Sequence, residues 1–155
     1  MKLIFLDLDG VVNNRTTMDR VVIDPSRPLD IVDPINVKAF NRISDQTGAW
    51  IVVSSTWRYR YPARSMMQVV LGSLGIHGMI EGCTPRLPGE NVTRGEEIQA
   101  WFDAHPEWKN AEFIVVDDSS DISPFEDRFV HVSFETGLTE EDADRAIAML
   151  GKEKR

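Results

Sequence analysis

The stretch Lys2-Leu3-Ile4-Phe5-Leu6-Asp7-Leu8-Asp9-Gly10 opens on an apolar run and breaks into two acids and a glycine. A short run without polar alternation suits a strand buried on both faces. Such a strand belongs in a parallel sheet between helical layers, so strands and helices should alternate downstream. They do. Ala49 to Val53 and Phe113 to Val116 are further apolar runs, Met79 to Ile80 is a weak one, and Phe129 to Val132 is the last. Between them, Asp33-Pro34 supplies an N-cap and a first-turn proline for a helix with Ile35, Ala39, Phe40 and Ile43 on one face, stopped at Gly48. Ala63, Met66, Met67, Val70, Leu71 and Leu74 form a helical stripe. Thr93-x-x-Glu96 is a capping box opening a helix with Ile98, Trp101 and Phe102 inward. Thr139 caps a last helix carrying Ala143, Ala146, Ile147 and Leu150. Residues 13–33, with Pro25 and Pro28, read as a loop carrying at most a small hairpin.

The expected fold is therefore α/β: a three-layer α/β/α sandwich around a mainly parallel sheet of about five strands. A single domain should span residues 1–150, with a frayed tail at 151–155. The chain has 155 residues, 17 Lys+Arg and 25 Asp+Glu, for a net charge of −8. That balance argues against non-specific coating of nucleic acid, which needs a basic surface, but not against recognition of one phosphate end. The lone Cys83 allows no internal disulfide, so a reducing compartment is expected. No apolar stretch is long enough for a signal peptide or a membrane span, which makes the cytoplasm the default location. His77, His105 and His131 lie in different contexts and form no ligand set.

In an open parallel sheet, ligands bind beyond the carboxyl ends of the strands. The first strand ends in Asp7-Leu8-Asp9-Gly10, the second in Ser54-Ser55-Thr56, the fourth in Asp117-Asp118-Ser119-Ser120-Asp121. Three strand ends thus aim several carboxylates and hydroxyls at one edge. Crowded acids repel one another unless a cation compensates them. Hard carboxylate oxygens from two loops suit Mg²⁺, which readily takes phosphate oxygens as further ligands. The constellation points to a Mg²⁺-assisted phosphoryl site. Each piece alone also has a plainer reading, as a turn, a helix cap or a solvated loop.

Leu3 to Val11 resembles motif I of the haloacid dehalogenase (HAD) phosphohydrolase superfamily, Ile51 to Ser54 its motif II, and Ile114 to Asp118 its acidic motif IV. The Ser-Ser-Thr-Trp-Arg run at 54–58 and Phe-Glu-Thr-Gly-Leu-Thr at 134–139 are similar to small HAD domains of RNA repair proteins, kin to polynucleotide 3′-phosphatase domains. The resemblance implies a Rossmann-like fold and an aspartyl-phosphate mechanism. Asp7 would be the nucleophile and Asp9 the general acid–base. Mg²⁺ would be held by Asp7, the Asp9 main-chain carbonyl and Asp118, with Asp117 assisting. Ser54 would bond a phosphoryl oxygen, helped by backbone amides such as that of Gly10. Ser55, Thr56 and Arg58 would lie along the substrate. The family's motif III lysine has no clear counterpart: Arg94, at the first turn of a capped helix, is the stronger candidate and Lys109 the alternative.

No segment is large enough to fold as a separate cap, since units below about 40 residues seldom do. An open site favours a phosphate displayed on something large, such as a polynucleotide 3′ end. Arg58, Arg60 and Arg64, interleaved with Trp57, Tyr59 and Tyr61, could stack bases and grip phosphates there, or simply form a solvated helix start over buried aromatics. Phosphatases of nucleotides, sugar phosphates or phosphoproteins, and a low-turnover metal-binding module of a repair assembly, are the alternatives.

Overall fold

The computed structural model describes residues 1–23, 26 and 31–152. Ten regular elements follow in order: β1 (Lys2–Leu6), α1 (Arg15–Ile23), α2 (Pro34–Thr47), β2 (Trp50–Val53), α3 (Arg64–Ser73), β3 (Ile80–Cys83), α4 (Arg94–Ala104), β4 (Glu112–Asp117), β5 (Phe129–His131) and α5 (Glu140–Leu150). The five strands form one all-parallel sheet in the order β3-β2-β1-β4-β5. The strand order reverses at β1, where the crevice of an open α/β sheet forms.

Period-two alternation divides the core into two layers. Ile4, Leu6, Ile51, Val53, Ile114 and Val116 face α2, α3 and α5. Leu3, Phe5, Val52 and Val115 face the other way, onto Ile98 and Trp101 of α4 and onto Trp108 and Ile122. Phe5 anchors this second layer, with Trp101 edge-on at 5.5 Å and Phe113 edge-on at 5.8 Å between centroids. Such pairs add about 0.5–1.5 kcal/mol beyond their buried area. The result is the expected Rossmann-like three-layer sandwich, and the described residues form no separate cap domain.

Local signals set most helix ends. Asp33 accepts from the Ile35 N–H, and Gly48 closes α2 in the left-handed region at φ 64°. Thr93 and Glu96 make both halves of the capping box of α4, as Thr139 and Asp142 do for α5.

Three expectations change. Residues 13–33 are not simply a loop, because α1 lies within them. This helix starts where the Asn14 side chain accepts from the Thr17 N–H and donates to Asp33 and Asn36. Pro25 and Pro28 lie outside the described residues. Second, Ile35 is 71% exposed. The buried face of α2 runs instead through Asn36, Val37, Phe40, Ile43 and Thr47. Asn36 takes the inner position because its amide satisfies the carbonyls of Thr136 and Leu138, both at 3.0 Å. Third, the α3 stripe narrows to Met67 and Leu71, with Met66 50% exposed. α3 packs along β3, the edge strand, so only one line of its surface meets the sheet. At the chain end, the carbonyls of Gly151 and Lys152 accept from Lys2 Nζ, and residues 153–155 of the expected tail lie outside the described residues.

Two helical glycines should respond oppositely to one substitution. A Cβ on Gly95 would run into the Ser123 carbonyl, whereas one on Gly72 would meet nothing within 4 Å. Gly95→Ala should lower stability by about 1–3 kcal/mol through overpacking. Gly72→Ala should raise it by up to about 1 kcal/mol by restricting the unfolded chain. Urea unfolding midpoints measure both; equal shifts would contradict the close α4 contact.

Candidate active site

Parallel register lines up the residue following each strand. Asp7 N–H donates to the Val116 carbonyl at 3.0 Å, Ser54 N–H to Leu6 at 2.9 Å, and Thr84 N–H to Val53 at 3.0 Å. The carboxyl edge therefore carries a row, Thr84, Ser54, Asp7 and Asp117, across β3, β2, β1 and β4. All four are buried, with Asp117 at 0% exposure. Asp118, the next residue, turns back beside β1. Carboxylate oxygens of Asp7, Asp117 and Asp118 all lie within 4.8 Å of one another.

Among the described residues one cation reaches this cluster. Arg94 Nε donates to Asp117 Oδ2 at 2.8 Å, and its Nη2 lies 3.6 Å from Asp7 Oδ1. Nη1 donates to the Ser54 carbonyl. The α4 N-terminus delivers Arg94: its main-chain N–H meets Asp121 Oδ2, and the Gly95 N–H donates to the Asp121 carbonyl. Lys109, the other candidate for this role, is exposed just before β4, at the opposite edge of the sheet.

One guanidinium does not balance three carboxylates. Burial first, then Asp117, pushes the Asp7 carboxyl well above its ordinary range, with Arg94 pulling it down and Asp118 adding to the rise. Asp117 is pushed up to about 6, chiefly by burial, against the pull of Arg94 and of the Ser119 N–H. Beside them, the buried Ser54 Oγ has no hydrogen-bond partner among the described residues. A buried unpaired hydroxyl costs about 1–3 kcal/mol. Excess negative charge, three hard oxygen donors and an unused hydroxyl together fit a divalent cation with an oxyanion beside it.

Asp9 stands at the rim, half-buried. Its Oδ1 accepts from Trp57 Nε1 at 3.1 Å and Asn13 Nδ2 at 3.0 Å, which leaves Oδ2 without a protein partner among the described residues. Asn13 Oδ1 accepts from the Gly10 N–H at 2.6 Å, so that amide is engaged within its own loop. Gly10 itself has φ 86°, and a Cβ there would collide with the Asp118 carboxylate. Only glycine lets the loop after β1 come this close to β4.

The run after β2 separates into different tasks. Arg58 is buried, and its five N–H donors meet the carbonyls of Thr84, Ser54 and Ser55, the Tyr59 hydroxyl and Glu97 Oε2. No donor remains for a ligand, so its guanidinium ties β2 to β3. Ser55 Oγ accepts from the Trp57 N–H as the cap of the 3-10 turn at Thr56–Tyr59. Thr56 is exposed beside Trp57. Glu97, unremarked in the sequence, lies 2.8 Å from Arg58 and 4.0 Å from Arg94 and links the two. Its position three residues after Arg94 on a helix was the available signal. Asn13 was similarly readable as four residues beyond Asp9. Thr84 had no local signal.

The carboxyl cluster sets a pH and metal dependence. An acid whose folded pKa is raised binds more protons folded than unfolded between the two values. The metal-free protein should therefore lose stability as pH rises from the ordinary aspartate value, about 4, through about 6, where Asp117 titrates. Asp117→Asn should flatten this dependence. A divalent cation should raise Tm more at pH 7.5 than at pH 5. Thermal melts in chelator and in Mg²⁺ test both, and a metal-independent Tm at pH 7.5 would contradict a cation site.

Among the described residues no helix is long and apolar enough to cross a membrane. No curated protein and no solved structure matches this chain. A family model described as the HAD domain in Swiss Army Knife RNA repair proteins matches residues 3–143, a span that runs from β1 into α5 and contains every strand-end residue of the crevice. The chain belongs to this family of HAD domains.

Proposed function

We propose that this chain is a Mg²⁺-dependent phosphomonoesterase acting through an aspartyl-phosphate on Asp7, with a polynucleotide 3′-phosphate end as its substrate. The observation that carries the reading is the packing of the Asp7, Asp117 and Asp118 oxygens within 4.8 Å. Family membership and the unpartnered Ser54 hydroxyl beside the cluster support it.

Asp7, the Asp9 main-chain carbonyl and Asp118 would hold Mg²⁺, with Asp117 assisting. When bound, the ion offsets repulsion between the carboxylate and the phosphate and stabilises charge developing at phosphorus. An oxygen of Asp7 attacks phosphorus in line, and the bond to the leaving oxygen breaks. Asp9, oriented at Oδ1 by Trp57 and Asn13, gives the departing oxygen a proton from Oδ2. It then takes a proton from water, which attacks the phosphoryl group and releases inorganic phosphate and free Asp7. Ser54 Oγ donates to a phosphoryl oxygen, and Arg94 supplies the motif III charge. No cap domain lies over the crevice among the described residues, which favours a phosphate on a large molecule. The remaining alternatives, a small-molecule or phosphoprotein phosphatase or a metal-binding module, are outcomes of the same assays.

Hydrolysis of an aryl phosphate should require Mg²⁺ and stop with chelator. Asp7→Asn should abolish turnover, Asp9→Asn should lower kcat by about 10²–10⁴-fold, and Ser54→Ala by about 10²-fold or more. Turnover retained by Asp7→Asn would overturn the mechanism. A 3′-phosphorylated oligonucleotide should be hydrolysed with higher kcat/KM than a mononucleotide; equal or better rates on the mononucleotide would sink the polynucleotide preference.

A further inference from the structure

A second groove opens along the same sheet edge. It lies over the end of β3, has a volume of about 440 Å³, and is lined by Arg58, Tyr59, Pro62, Cys83, Thr84 and Arg86 among others. None of its lining side chains is a carboxylate, in a chain of net charge −8. Arg58 is already spent on protein groups, as described above. Arg86 is not: it is exposed, stacks on the Tyr59 ring at 4.4 Å, and makes no ion pair among the described residues. Stacking holds the guanidinium plane while leaving its N–H edge open, the arrangement that suits a phosphate.

Thr84 supplies an independent observation. The residue is 3% exposed, and its Oγ1 is buried without a hydrogen-bond partner. It shares this condition with Ser54, the next residue along the strand-end row, whose hydroxyl is read above as a phosphoryl ligand. Thr84 stands two strands from Asp7, about 10 Å at the usual strand spacing. A terminal phosphate bonded to both Asp7 and Ser54 sits part-way along this row, so the next phosphate of the strand need cover only about one further strand spacing to reach Thr84. Orphan hydroxyls at Ser54 and Thr84 therefore mark two consecutive anion positions on one edge.

We propose that Thr84 and Arg86, with Tyr59 supporting the guanidinium, form a second anion subsite that takes the internucleotide phosphodiester next to the terminal phosphate held at Asp7. This rests on the phosphatase reading and gives its substrate a direction: the strand leaves the reaction centre over β2 toward β3. Local capture of one diester also reconciles an acidic protein with a nucleic-acid substrate, since no extended basic surface is needed.

The test compares kcat/KM for a 3′-phosphorylated trinucleotide with that for an aryl phosphate. Arg86→Ala should lower the ratio about tenfold, and Thr84→Val should lower it severalfold. Replacing the one diester next to the terminal phosphate by a neutral methylphosphonate should lower the wild-type ratio similarly and erase the difference between wild type and Arg86→Ala. A ratio unchanged by Arg86→Ala, or a methylphosphonate that leaves the difference intact, overturns the subsite. A binding arm needs no turnover: fluorescence anisotropy of the labelled trinucleotide on Asp7→Asn protein, with and without Arg86→Ala. Loss of Arg86 should weaken binding about tenfold and reduce the log Kd–log salt slope by about one. An unchanged affinity and slope overturn the subsite. If wild type hydrolyses neither substrate, the phosphatase reading fails while this arm still decides the subsite.

Discussion

Three carboxylates crowded at one sheet edge, two of them buried, are a charge problem, and the structure around them is arranged to contain it. Asp7 and Asp117 are brought together by the register of β1 and β4, which admits no other spacing once Leu6 pairs with Val116. Arg94 compensates part of the charge from α4, and both acids remain raised above their ordinary range. In this medium an unpaired ion costs several kcal/mol even after relaxation. The site is therefore held with its demand for a cation incompletely met, a condition suited to binding one together with an oxyanion.

The neighbouring residues follow from that constraint. Arg94 must enter without displacing the strands, so α4 begins against Asp121 and Gly95 carries no side chain where the Ser123 carbonyl passes. Glu97 then sits between Arg94 and Arg58, and Arg58 gathers the carbonyls of Ser54, Ser55 and Thr84. A chain of alternating charges thus runs from Asp7 to the end of β3. It holds the strand-end backbones, while the Ser54 and Thr84 hydroxyls have no hydrogen-bond partner among the described residues.

Local pattern was a good guide where local physics decides. Continuous apolar runs marked β1, β2 and β4, and a capping box at Thr93 and a cap at Thr139 marked α4 and α5, because burial on both faces and unsatisfied helix N–H groups impose specific residue types. It failed where a distant partner decides. The start of α1 is set by Asn14 reaching Asp33 and Asn36, 19 and 22 residues on. Asn36 displaces Ile35 from the inner face of α2 because carbonyls from residues 136 and 138 require an amide. Arg58 read as a substrate ligand from its neighbours, and its five donors proved to be occupied by residues up to 39 positions away.

The sequence by itself determined that acids and hydroxyls would follow buried parallel strands, since apolar runs ending in Asp7, Ser54 and Asp117 admit few other arrangements. It therefore carried the fold class, the edge on which chemistry would collect and the sign of its charge. Only the tertiary structure decided which of these groups lie together, that Arg94 and not Lys109 reaches Asp7, and that Trp57 and Asn13 orient Asp9. It also placed Thr84 in the same row. The reason is physical: strand-end identity is a local property of the chain, whereas register, helix entry and hydrogen-bond saturation depend on residues far apart in sequence that meet only when the sheet closes.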